Sequence, residues 1–148
     1  MSAVVMVAAA CIGSLCSREY PREHEAFLEL PRDQRRPVLQ QHPPEEQVDL
    51  YVSAMLVKHP PDLELADVVA ANGTRVLPVL IERLRAEKRE VVQVDLLYVV
   101  LRMQEMGEAN VAGDPEAMST LEGVVSAMKD PALKREASGF VDRIRAGS

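Results

Sequence analysis

VVQVDLLYVVLRM, Val91 to Met103, is the stretch whose reading decides the fold. Its apolar residues recur at three and four, and no alternation of period two runs through it, so it reads as a helix. As a helix it is apolar nearly all round. Gln93 and Gln104 make one narrow polar strip, and Asp95 with Arg102 makes another. A helix of that kind must be covered by neighbours on most sides. The stretch therefore predicts a central helix, ended by Gly107, among other helices.

Outward from this segment the same periodicity continues. Arg75–Leu84 is an amphipathic helix with Pro78 near its start, and Ala86–Glu90 is a short charged turn. Beyond Gly107, a polar link through Asp114-Pro115 leads to a helix over Glu116–Met128. Lys129-Asp130-Pro131 makes a turn, and Ala132–Arg145 is the last helix. Upstream, helices are expected over Arg22–Leu30, from Pro31 to about Gln41 with a kink or break at Pro37, over Glu45–Lys58, and over Asp62–Ala71. Asn72-Gly73 then supplies a left-handed residue that closes a helix, which is the preferred reading of the formal Asn-Gly-Thr sequon. The expected fold is all-α, about eight helices with no sheet.

A shift of 41 residues superposes the two halves of the C-terminal region. Leu80 falls on Leu121, Leu84 on Val125, Val92 on Leu133, Leu96 on Ala137, Val100 on Val141 and Met103 on Ile144. Two helices in a period of about 40 residues are the size of a HEAT or armadillo unit. Leu80-x-x-x-Leu84, a charged turn, then Val92-x-x-x-Leu96-x-x-x-Val100 resembles a HEAT unit. So does Leu121-x-x-x-Val125 followed by Asp130-Pro131-Ala132-Leu133-Lys134 and Ala137. The first unit departs from this pattern, with Lys88-Arg89-Glu90 in its turn and Gln93 where the second has a basic residue. The resemblance covers Thr74 to Gly147 and implies a short α-solenoid, with the helix pair at 45–71 as a divergent unit. Such units bury their apolar faces only by stacking.

Bulk properties fit one folded domain. The chain has 148 residues, 47% apolar and 27% charged, and a net charge of −6. Without clustered Lys and Arg, nucleic acid is not expected as a partner. Aromatic residues make up only 3%, with no Trp, so a stacking site for sugars or bases is hard to build. Residues 1–17 carry no charge, and their apolar run is shorter than the roughly 20 residues that span a bilayer. They read as a secretory or lipoprotein leader, with residues 18–148 as a single helical-repeat domain. Ala8-Ala9-Ala10-Cys11 resembles a lipobox, making Cys11 the candidate lipidation site. Export would place the protein in the bacterial periplasm or on a membrane through a lipid; otherwise it is cytoplasmic.

Motifs for catalysis are sparse. The sequence holds no G-x-S-x-G, Walker loop, G-x-G-x-x-G or H-E-x-x-H. Its three histidines are His24, His42 and His59. His24 reads as a surface residue of the first helix. His42-Pro-Pro-Glu and His59-Pro-Pro-Asp look like a repeated metal motif, but they flank one helix. At 1.5 Å per residue they would stand roughly 25 Å apart, while zinc holds imidazoles at about 2.0–2.1 Å. Each motif reads instead as a joint, where His closes one helix and the prolines and acid open the next. No metal, cofactor or catalytic residue is therefore expected. The expected function is non-catalytic protein–protein interaction, with Val94, Leu97, Tyr98 and Leu101 as the partner-contact face. The alternatives are a small hydrolase using His24 or His42 with nearby carboxylates, and an exported immunity or inhibitor protein.

Overall fold

A computed structural model describes residues 20–57 and 62–147, and every regular element among them is helical. After a 3-10 turn at Arg22–His24 come α1 (Glu25–Glu29), α2 (Arg32–Leu39), α3 (Pro44–Val57) and α4 (Glu64–Ala70). A second 3-10 turn, Gly73–Arg75, precedes α5 (Leu77–Ala86), α6 (Glu90–Glu105), α7 (Pro115–Ala127) and α8 (Pro131–Ala146). The described residues thus form an all-α fold of eight α-helices, as the apolar spacing predicts.

Local chemistry sets most of the boundaries. Asp114 and Asp130 cap α7 and α8, each accepting from two backbone amides of the first turn, with proline at the first helical position. That pairing satisfies donors that no earlier carbonyl can reach. Three expectations need correction. The first helix is divided into a 3-10 turn and α1. Pro37 lies inside an unbroken α2; the carbonyl it leaves unpaired belongs to Asp33, an exposed residue, so water can take the bond. α4 opens at Glu64, and Asp62 is buried before it rather than displayed in its first turn.

Helix contacts run in two rows. α1, α3, α5 and α7 touch in succession, as do α2, α4, α6 and α8. Across the rows α1 packs on α2, α3 on α4, α5 on α6 and α7 on α8. α6 meets α3, α4, α5 and α8, which explains why it is apolar on nearly every side. Leu96, Leu97, Val99, Val100, Leu101 and Met103 have no accessible surface. Each large side chain buried in this way contributes about 1.5–3 kcal/mol. α3 is enclosed too, with Val48, Leu50, Tyr51, Val52, Ala54 and Met55 all in the core. Its contacts with α1, α4, α5 and α6 account for this enclosure.

Polar links tie each row along its length. Arg102 on α6 reaches back to Asp67 on α4 at 2.6 Å and to its own Glu105 at 2.7 Å. Arg143 on α8 pairs with the same Glu105. Arg35 and Arg32 of α2 approach buried Asp62 at 3.9 and 3.3 Å. In the other row Arg83 on α5 meets Asp49 on α3 at 3.1 Å, and Arg85 on α5 meets Glu116 on α7 at 3.0 Å. Within the last two pairs, the first turn of the second helix holds the end of the first. Gln93 donates to the Glu87 carbonyl, and Lys134 donates to the Ser126 carbonyl, each at 2.9 Å. Gln93 and Lys134 are equivalent under the 41-residue shift, so both units tie the second helix to the end of the first from the same position, through acceptors two residues out of register.

Gly73 marks the turn from α4 toward α5. Its φ is +55°, and a Cβ there would lie 2.5 Å from the Glu108 carbonyl oxygen. Only glycine meets both conditions. Asn72 caps α4 through its side chain, donating to the carbonyls of Val68 and Val69 and to Gln47.

Candidate functional site

Two places gather the chemistry of this chain. The first is the corner where the 3-10 turn and α1 lie on α3. The turn rotates His24 inward, leaving it 7% exposed, against the expected surface position. Its Nδ1 stands 2.7 Å from the Ser53 hydroxyl, itself buried on α3. Imidazole and hydroxyl satisfy each other, whichever tautomer carries the proton.

His24 lines two cavities. One, of about 270 Å³, is also bounded by Glu23, Asp49, Ser53, Arg83 and Arg89. The other, of about 340 Å³, is bounded by Phe27, Leu30, His42, Glu46 and Leu50. The structure thus brings His24 and His42 to one cleft. His42 Nδ1 lies 2.9 Å from the Glu46 carboxylate, one helical turn on. Its carbonyl accepts from the Gln47 side chain at 2.8 Å, and α3 begins at Pro44 just beyond. Those are contacts of a helix joint. His59 lies outside the described residues, as do Cys11 and the rest of 1–17. Asp62, the acid of the second motif, is turned toward Arg35 and Arg32. Among the described residues no group of three or more His, Cys, Asp or Glu is placed to hold a metal ion.

A hydroxyl–imidazole contact is also the first half of a nucleophile and its base. Acyl transfer further needs donors for the developing oxyanion and access for the substrate. Ser53 sits in the middle of α3, 3% exposed, not on an exposed turn.

The second place is an open groove of about 840 Å³ between the α5–α6 turn and α7 with its turn into α8. Leu84, Val124 and Gly123 line it, with Gln93 and Thr120 as polar neighbours. Its carboxylates are occupied. Glu87 accepts from the backbone amides of Lys88 and Arg89 and from the Arg89 side chain. The Arg89 guanidinium, above all, lowers the Glu87 pKa to about 2. Glu90 accepts from the amides of Lys129 and Asp130 at 2.7 and 2.9 Å, and these bonds also lower its pKa. Arg85 is engaged by Glu116 and Thr120. Lys88 and Lys129 line the same groove, and Lys129 adds its charge to the amides that hold Glu90.

The expected partner-contact face is not a surface. Leu97 and Leu101 are fully buried, Val94 is nearly so, and Tyr98 packs against Phe140 of α8 with ring centroids 5.7 Å apart. α8 covers this side of α6. An all-round apolar helix reads the same whether its cover comes from its own chain or from a partner, which is why the sequence misplaced the face. Ser53 and the groove lysines were missed for a related reason. Ser53 becomes a neighbour of His24, and Lys88 comes to the same groove as Lys129, only through packing between helices distant in sequence.

One carboxylate in the core region is perturbed. Burial and, second, the nearby Glu136 raise the Asp95 pKa from 3.8 to about 6. The Asp95 carbonyl accepts from the hydroxyl of Tyr51, a fully buried residue, at 3.1 Å. No helix among the described residues is long and apolar enough to cross a membrane. No family model matches the chain, and no curated protein or solved structure matches it.

Proposed function

We propose that this protein is a non-catalytic HEAT-like repeat module, a short stack of four antiparallel helix pairs, that binds another protein. The observation that carries this reading is the order of contacts, in which each helix pair packs chiefly on the pair before and the pair after it. Such stacks expose an extended lateral surface, and binding along it is their common use. The recurrence of Arg102 at Arg143 and of Gln93 at Lys134 supports a true repeat over an irregular bundle. An envelope location, periplasmic or lipid-anchored through Cys11, is part of the proposal and rests on the character of residues 1–17.

The test is capture by the intact chain carrying a photo-crosslinker on an exposed α7 position. One protein recovered in stoichiometric amount supports the reading; its absence from envelope and cytosolic extracts alike overturns it. Mass spectrometry of the mature N-terminus decides the compartment. A second reading, a hydrolase built on His24 and Ser53, is favoured by their 2.7 Å contact. A serine-directed phosphonate probe separates the two: labelling of Ser53 that is lost in His24→Gln supports the hydrolase, and no labelling supports the binder.

A further inference from the structure

We propose that the groove between the α5–α6 turn and α7 takes an acidic, extended segment of the partner protein, a proposal that rests on the protein-binding reading above. Charge is the argument. The chain as a whole carries a net charge of −6, yet the lining of this groove holds Lys88, Lys129 and Arg85, the last paired with Glu116, against two carboxylates. Both carboxylates are already satisfied by the chain, Glu87 by Arg89 and two amides, and Glu90 by two amides of the α7–α8 turn. An occupant therefore meets Lys88 and Lys129, which line the groove; Lys129 acts on Glu90 only through its charge, since Glu90 takes its hydrogen bonds from the backbone amides. Cations beside satisfied acids attract carboxylates and repel basic segments.

Shape agrees with this charge pattern. The volume of about 840 Å³ is open along one side, which suits a chain passing through more than a closed small molecule. Val124 and Ala127 give apolar contact in the same lining as the lysines, so carboxylates alternating with small apolar residues match it. The floor includes Gly123 in the middle of α7, where an added Cβ meets nothing within 4 Å. A larger side chain there fills the groove without disturbing the fold, and it improves helix propensity.

The experiment is selection of a random displayed peptide library on the intact protein, followed by fluorescence anisotropy of the selected peptides. Expected are peptides rich in Asp and Glu whose affinity falls about tenfold or more in Lys88→Glu/Lys129→Glu. Gly123→Met should weaken them similarly while melting no lower than the parent protein. The control Arg22→Glu/Arg36→Glu changes net charge equally at the far end of the rows, and should leave affinity within about twofold at moderate salt. Selected peptides without acidic character, no selection at all, or equal losses in both double variants would overturn the proposal. If the captured partner binds the groove variants unchanged, the groove assignment fails while the protein-binding reading stands. If no partner is captured, that reading itself fails.

Discussion

Arg102 and Arg143, 41 residues apart, converge on one carboxylate, Glu105, from two adjacent helices of one row, α6 and α8. Arg102 also crosses to Asp67 on α4, so one chain of charges runs from α4 through α6 to α8. Neither arginine is fully exposed, and Glu105 is more sheltered than either. Arg102→Met should cost about 1–2 kcal/mol in chemical denaturation, above the value of an isolated surface pair. Arg143→Met should cost less, because Arg143 is the more exposed of the two and Glu105 keeps Arg102. High salt should narrow both differences.

Gly73 and Gly107 both adopt positive φ, but only Gly73 faces a backbone oxygen. Gly107→Ala should cost about 1 kcal/mol, the strain of a left-handed alanine. Gly73→Ala must also move the Glu108 carbonyl and should cost at least about twice as much. Equal melting temperatures for the two variants would show that the segment after α6 yields freely.

Asp95 makes stability depend on pH in a defined direction. Its folded-state pKa, about 6, lies above the ordinary 3.8 because burial and Glu136 disfavour the charge. Between these values the folded state holds a proton that the unfolded chain has released, so stability falls as pH rises through this window. Asp95→Asn should therefore stabilise the protein by about 1 kcal/mol near pH 8, allowing for solvent screening, and have little effect near pH 4. Glu87 acts oppositely but lower, its contribution being lost only as pH falls from 4.5 toward about 2. Urea midpoints across this range check both signs.

Ser53→Ala leaves His24 Nδ1 without its partner in a buried site. The expected loss is about 1–3 kcal/mol, the cost of an unsatisfied buried polar group. Tyr51→Phe removes the hydroxyl that reaches the Asp95 carbonyl and should cost about 1 kcal/mol. His42→Gln should cost at most about 1 kcal/mol, since the Glu46 contact is exposed and local. A loss for His42→Gln larger than that for Ser53→Ala would reverse the ranking of the two histidines.

The sequence by itself determined the helices and the joints between them. Periodicity, Asp-Pro caps, the Pro43-Pro44 pair and glycines act through bonds within a few residues, so they are legible without tertiary context. The enclosure of α6 was legible as well, because a helix apolar on all sides has no stable exposed state. What covers it was not: Val94, Leu97 and Leu101 are buried within the chain's own helices, and Tyr98 beside them packs on Phe140 of α8, where a partner was expected. His24 turned inward because a 3-10 turn rotates its side chain away from the α-helical register, toward Ser53 on a helix 29 residues distant. Likewise the groove exists only where α5 and α7 lie side by side, bringing Lys88 to Lys129. Local bonding chooses the elements; which surfaces remain for a partner is settled by burial among all of them at once, and only the packed chain records that outcome.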